Sequence, residues 1–322
     1  MNTAPVVFFI FNRPEPTARV YARIRDARPT DLLIVGDGPR PGRDGENRRV
    51  AAARRIVLNG IDWPCKLHTN FSERNLGCRQ RVASGLEWAF SCVSEAIVLE
   101  DDCLPDPSFF GFCTSMLARY RNDASVLHVN GTNLAPRRLP GGAAYRFSRH
   151  AWMWGWATWS RAWTHYDPEF STWSSRHTAV RDSFASSWEA QYWLSSWNRI
   201  RSDPLRGDTW DFPWQFSVRA AGGRVVMPRH NLVQNLGFGA DATHTIGDTL
   251  AHLENLSANA GLLIPPAADE IDPVAEERFT RAYAGVPPGL GAELKTRLRV
   301  WRARLARSGA DPCAASRNIQ RP

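Results

Sequence analysis

Three observations predict an α/β protein with a doubly wound, mostly parallel sheet. Short apolar runs alternate with helical patterns along the first 130 residues. Two of those runs stop abruptly at acids. The chain of 322 residues is also long enough to bury a large core.

The elements follow in order. Val6 to Phe11 reads as a first strand, and Pro14 to Ala27 as a helix with proline at its start. Leu32 to Val35 is a second strand, closed by the turn Gly36-Asp37-Gly38-Pro39, which leaves an acid at a strand's carboxyl end. A helix from Asn47 to Leu58 precedes a third strand at Lys66 to Phe71. The next helix, Cys78 to Cys92, carries Val82, Leu86, Ala89, Phe90 and Val93 at helical spacing. The fourth strand, Ala96 to Leu99, ends in Glu100, Asp101 and Asp102, ahead of a loop with Pro105 and Pro107. A helix from Phe109 to Tyr120 and a strand from Val126 to Val129 follow. Asp106 is placed to cap that helix.

In open α/β sheets, ligands sit outside the carboxyl ends of the strands. Three adjacent carboxylates repel one another, and a hard divalent cation relieves the repulsion. Glu100, Asp101 and Asp102 are therefore candidate binding or metal-ligating residues, unless they only end a strand. No Gly-x-Gly-x-x-Gly follows the first strand and no Gly-Lys-Ser is present, so neither dinucleotide nor P-loop chemistry is indicated.

Composition excludes other classes. Six cysteines show neither Cys-x-x-Cys pairs nor zinc spacing, which fits reduced thiols in a cytosol. No signal peptide and no membrane span are expected, since the first apolar run is only six residues long. The charge of +8 does not imply nucleic acid. Residues 286–322 hold eight Arg or Lys against two acids, which leaves +2 for everything before them.

At this point the motifs become specific. Phe11-Asn12-Arg13-Pro14, Gly36-Asp37-Gly38, Asn75-Leu76-Gly77, and Val98-Leu99-Glu100-Asp101-Asp102 before Phe109-Phe110 together resemble the GT-A nucleotide-sugar glycosyltransferases. Among them the chain is most similar to enzymes of the N-acetylglucosaminyltransferase I type, which write their metal motif as Glu-Asp-Asp. The resemblance covers residues 5–245. It implies a GT-A fold, a UDP-sugar donor, and Mn²⁺ or Mg²⁺ as cofactor. It also implies that Arg13 and Asp37 contact the nucleoside, that Glu100 and Asp101 face the sugar and ribose, and that Asp102 holds the metal. Arg79 occupies the place of a further donor contact.

Beyond residue 130 the composition changes. Eleven of the fourteen tryptophans fall between Trp152 and Trp214. Their flat faces suit a pyranose, but the spacing of Trp156, Trp159 and Trp163 reads as a helical packing stripe, so two or three are expected at a sugar site. Gly207-Asp208-Thr209-Trp210-Asp211-Phe212-Pro213-Trp214 resembles the acceptor-side segment of the same enzymes, in which an Asp acts as base. The spacing departs from theirs by one residue, so Asp211 and Asp208 both stand as candidates. Asp211 could equally cap a helix starting near Phe212. A strand is expected at Val225 to Met227. Arg229 to Gly239 leads into Asp241-Ala242-Thr243-His244-Thr245, a loop able to cover the donor, in which His244 is a candidate metal ligand.

The expected organisation is a donor-binding half at 1–130, an acceptor-binding half at 131–250, and a linker and tail at 251–322. In the tail, residues 292–307 pattern as a basic amphipathic helix, with Leu294, Leu298, Trp301 and Leu305 on one stripe. Such a helix can touch the inner face of a membrane, or simply pack on the body. The whole reads as a cytoplasmic, metal-dependent inverting glycosyltransferase that moves a sugar to a glycan, lipid-linked or other hydroxyl acceptor. Two alternatives stand beside it: a nucleotidyltransferase that forms nucleotide-sugars, and a non-catalytic carbohydrate-binding protein. The first would need a Gly-rich basic loop where Asn12-Arg13-Pro14 stands. The second leaves the acids at two strand ends unexplained.

Overall fold

The computed structural model describes residues 2–135, 139–203, 208–237, 263–267, 269–286 and 298. His244, the loop after Gly237 and all of the basic stretch 292–307 except Leu298 lie outside the described residues.

The first half follows the expected alternation. Strands β1 (Val6–Ile10), β2 (Asp31–Gly36), β3 (Lys66–Phe71) and β4 (Glu95–Glu100) are separated by α1 (Pro14–Ala27), α2 (Glu46–Asn59) and α3 (Cys78–Cys92). Strand β5 (Cys103–Pro105), helix α4 (Pro107–Tyr120) and strand β6 (Val126–Asn130) follow. Asp106 caps α4, accepting a hydrogen bond from Ser108 N, and Pro107 starts the helix with a φ that suits it.

The second half supplies β7 (Tyr145–Ser148), β8 (Trp156–Trp159), α5 (Ser160–Trp163), α6 (Trp173–Asp182), α7 (Ser187–Ser202) and α8 (Asp211–Ala220). It ends in β9 (Arg224–Pro228), β10 (Val233–Asn235) and α9 (Pro273–Tyr283). One expectation is corrected here. Trp156 to Trp159 is a buried strand and only Ser160 to Trp163 is helical, so the three tryptophans do not form one helical stripe. The strand is flanked on both sides by sheet and walled by aromatic rings, and that tertiary setting overrides the helical spacing.

Eight strands form one sheet in the order β3-β2-β1-β4-β8-β6-β9-β7. Neighbours β3, β2, β1 and β4 pair in parallel, as do β6 and β9, whereas β8 and β7 run against their neighbours. Helix α1 packs against α2 and α4, and α3 packs against α5. The fold is thus α/β, with a mostly parallel, doubly wound sheet. Strands β1, β2 and β4 are buried nearly throughout, which is why they read as unbroken apolar runs rather than alternating ones. Because β8 pairs with both β4 and β6, one sheet runs through both halves of the sequence.

Candidate active site

The strand order reverses between β1 and β4. The chain winds outward through β2 and β3 and then returns to the other side of β1, and such a switch point opens a crevice at the strands' carboxyl ends. The segment after β1 and the acids after β4 meet there. Phe11 N donates to Asp101 Oδ2 at 3.1 Å. Arg13 donates to both neighbouring acids, from Nη2 to Asp101 Oδ1 at 2.5 Å and from Nη1 to Asp102 Oδ2 at 3.0 Å. Burial opposes the charge on Arg13, but Asp101, Asp102 and Glu100 more than offset it and hold its pKa above the ordinary value.

The acids outnumber their partner. Glu100 accepts no hydrogen bond among the described residues, and burial together with Asp102 and Asp101 pushes its pKa well up. Burial also raises Asp101, although Arg13 and Phe11 N pull the other way. Burial and mutual repulsion thus both favour the protonated form of Glu100 and Asp101 in the crevice.

Three other predicted residues prove to be engaged with the protein itself. Asp37 is buried, and its two oxygens accept from Gly38 N, Leu76 N, Gly77 N and Asn75 Nδ2 at 2.8 to 3.2 Å. It fastens the 75–77 segment to the end of β2, and burial raises its pKa despite those donors. Asp208 lies on the N-terminus of α3, where its oxygens accept from Cys78 N and Arg79 N, both at 2.9 Å. That is a helix cap delivered from 130 residues away. Arg79 Nη2 donates to Pro168 O and, at 2.7 Å, to Glu169 Oε1, so it braces the turn before α6.

Asp211 differs from all of these. It opens α8, and the hydrogen bond its side chain accepts is from Phe212 N, at 2.9 Å. Its carboxyl is desolvated, which pushes its pKa up to about 6. It also adds to the rise in Glu100, so the two acids lie within electrostatic reach of one another although they come from different halves of the chain. Burial and the surrounding Glu100, Asp211, Asp208 and Asp102 push the Cys78 thiol far up, so it is inert as a nucleophile.

For a divalent cation the donor set is partial. Asp102 offers hard carboxylate oxygens, with Oδ2 taken by Arg13 and, among the described residues, Oδ1 bonded by the Cys103 thiol at 3.5 Å. No three His, Cys, Asp or Glu side chains converge on one point among the described residues. An ion at Asp102 thus fits only if a ligand such as a diphosphate supplies most of its shell.

The chain that leaves β10 runs directly over this acid. Strand β10 pairs with β5, Leu236 N donates to Asp102 O at 2.7 Å, and a Cβ on Gly237 would come within 2.6 Å of Asp102 Oδ2. Only glycine allows that approach. Neither this pairing nor the two tyrosines near Asp211, Tyr166 and Tyr283, was visible in the sequence. No periodicity marks a three-residue strand, and the tyrosines lie 45 and 72 positions from Asp211.

No family model matches the sequence, and no curated protein matches it. Among solved structures the chain is similar to UDP-glucose pyrophosphorylase complexed with UDP-glucose. The two are 9% identical, 70% of this chain and 90% of that one are covered, and the TM-score is 0.35. A likeness at that level assigns no activity to this chain. No described helix is long and apolar enough to cross a membrane.

Proposed function

We propose that the protein is an inverting glycosyltransferase that uses a nucleoside diphosphate sugar, a UDP-sugar on the resemblance given above. One observation carries the reading. A desolvated carboxylate with no cation partner among the described residues, Asp211, comes from the other half of the chain and lies within electrostatic reach of Glu100 at the switch-point crevice. An inverting transfer needs such an arrangement, with the leaving diphosphate on one side and a base for the incoming hydroxyl on the other.

In this mechanism Asp211 takes the proton of the acceptor hydroxyl as it attacks. Its pKa of about 6 leaves it ionised at neutral pH yet basic enough to accept the proton. Glu100, at the end of β4, can form a hydrogen bond with a sugar hydroxyl. Arg13 holds Asp101 and Asp102 in register at the crevice. Mn²⁺ or Mg²⁺, held by Asp102 and the donor's diphosphate, would supply positive charge against the departing phosphate oxygens. Asp208, as a helix cap, has the weaker claim to the base.

A panel of radiolabelled nucleotide-sugars tests the reading. Release of nucleoside diphosphate, with label passing to an acceptor or to water, is the expected result. Nucleotide-sugar formation from a sugar 1-phosphate and a nucleoside triphosphate, without transfer, would replace it with a nucleotidyltransferase. Binding without turnover would leave only a carbohydrate-binding protein.

A further inference from the structure

Most tryptophans of the second half are core. Trp156, Trp159, Trp193, Trp197 and Trp214 are fully buried. Four other aromatic side chains are not: Trp154, Tyr192, Phe212 and Tyr283 are all half-buried. Resting on the glycosyltransferase reading, we propose that Trp154 and Tyr283 form the acceptor subsite, and that the acceptor is a carbohydrate whose pyranose ring lies against them.

The position of Trp154 follows from strand register. Val98 opposes Trp156 where the antiparallel β4–β8 pair ends, so Trp154 lies two residues before that last pair, near the carboxyl end of β4. Gly155 makes the corner with a φ of +62°, and a Cβ there would come within 2.6 Å of Val233 and 3.3 Å of Leu99. Trp154 is therefore pinned beside the crevice, and it packs against the core clusters of both halves. Its ring meets Trp152 edge-on at 5.3 Å, and Trp152 in turn meets Tyr283 at 4.7 Å.

Tyr283, the last residue of α9, touches the same Trp152 ring. It stacks on Trp193 at 5.6 Å with the planes 7° apart and meets Tyr192 edge-on at 6.2 Å. Trp193 also contacts Phe212, the residue after Asp211, at 6.4 Å. Burial and the charge of Asp211 both push the Tyr283 hydroxyl upward, which agrees with a phenol facing that carboxylate. The ring does not rest on a mobile support. Glu276 of α9 accepts from Arg146 Nη1, Ser148 Oγ and Arg149 N at 2.7 to 2.8 Å, and Thr280 of α9 donates to Glu189 at 3.0 Å.

The chemistry of this wall selects its occupant. Flat aromatic faces suit the C–H face of a pyranose, and Asp211, Glu100 and the Tyr283 hydroxyl place polar groups along the ring's edge. An alkyl chain would leave those carboxyls desolvated and unpaired, at a cost in binding. A sugar hydroxyl satisfies them.

The test uses the full-length protein and the donor that the wild type turns over, with a panel of methyl pyranosides and with decanol as the sugar-free alcohol. Wild type is expected to transfer to at least one pyranoside and not to decanol. Tyr283→Ala should raise the KM for that pyranoside about tenfold, and Tyr283→Phe, which keeps the ring and loses only the hydroxyl contact, should raise it by clearly less. Saturation-transfer NMR with the same pyranoside reads binding without turnover, and its signal should weaken in Tyr283→Ala and Trp154→Ala. A melting curve establishes that each variant is folded. If Tyr283→Ala unfolds, Trp154→Ala carries the test. An unchanged pyranoside KM in the folded variants, or transfer to decanol alone, overturns the proposal and leaves the glycosyltransferase reading standing. Absence of donor turnover by the wild type overturns both.

Discussion

Two groups of buried acids invite comparison. At the switch point, Glu100, Asp101 and Asp102 share one arginine among the described residues, and Asp211 has no cation partner among them. Under α9, Glu276 accepts from Arg146, Ser148 and the Arg149 backbone, while Glu189 accepts from His150 and Thr280. Glu189, Glu276 and Asp101 are buried while Glu100, Asp102 and Asp211 are partly so, and the carboxyls that shift do so in opposite directions. Glu100, Asp101 and Asp211 are raised. Burial raises Glu276 too, but His150, Arg146 and the Arg149 N–H outweigh it and pull it down to about 2. A buried charge with all its partners present is structural. One left short of partners costs stability, and that cost is accepted where chemistry needs it.

The largest effect is expected at the satisfied group. Glu276→Ala leaves Arg146 buried without its partner and should lower unfolding free energy by about 3–5 kcal/mol, read by urea titration. The folded pKa of Glu276 lies below that of a free carboxyl. Its contribution is therefore complete above about pH 4.5 and is lost as pH falls from there toward about 2. A loss under about 1 kcal/mol at neutral pH would erase the contrast between the two groups.

Next comes Asp211→Asn. Turnover should fall by roughly 10²-fold or more, equivalent to about 2.7 kcal/mol in the barrier. Stability should not fall with it. The folded pKa of Asp211 is raised, so ionising it costs stability as pH climbs from about 3.8 to about 6, and the neutral amide avoids that cost. In the wild type the rate should rise with pH through about 6, as the base ionises. A variant that loses stability and keeps turnover would make Asp211 structural.

Asp208→Ala should cost about 1 kcal/mol of stability through the lost cap on α3, with Asp208→Asn close to wild type by thermal melting. A dead but fully stable Asp208→Asn would move the base to Asp208. The smallest effect is expected at Arg79, whose ion pair with the exposed Glu169 is worth no more than about 1 kcal/mol. If Arg79→Ala abolished donor binding measured by calorimetry, its bond to Glu169 would be a resting contact that a donor displaces.

The comparison also explains what the sequence could reveal. The acids at the end of β4 are contiguous and follow an apolar run, so both the strand and the cluster were legible, as were nearly all the helices and strands of the first half. Asp208 and Asp211 lie three residues apart in one motif, and nothing local separates them. Only the fold shows that Cys78 N and Arg79 N meet one and not the other. Glu189 and Glu276 went unread for the same reason, because their partners lie 39 to 130 positions away. Helix α9 follows a long stretch without a clear pattern. Its Asp272 cap and Pro273 start are ordinary helix signals, but its anchoring comes from β7.

Carboxyl ¹³C NMR titration of Asp211 and Glu276 in the same protein tests the central contrast most directly. The expected midpoints are about 6 for Asp211 and about 2 for Glu276, one on each side of the ordinary carboxylate range. Two midpoints near about 4 would mean that both acids are solvated alike, and would contradict the division into a functional and a structural group.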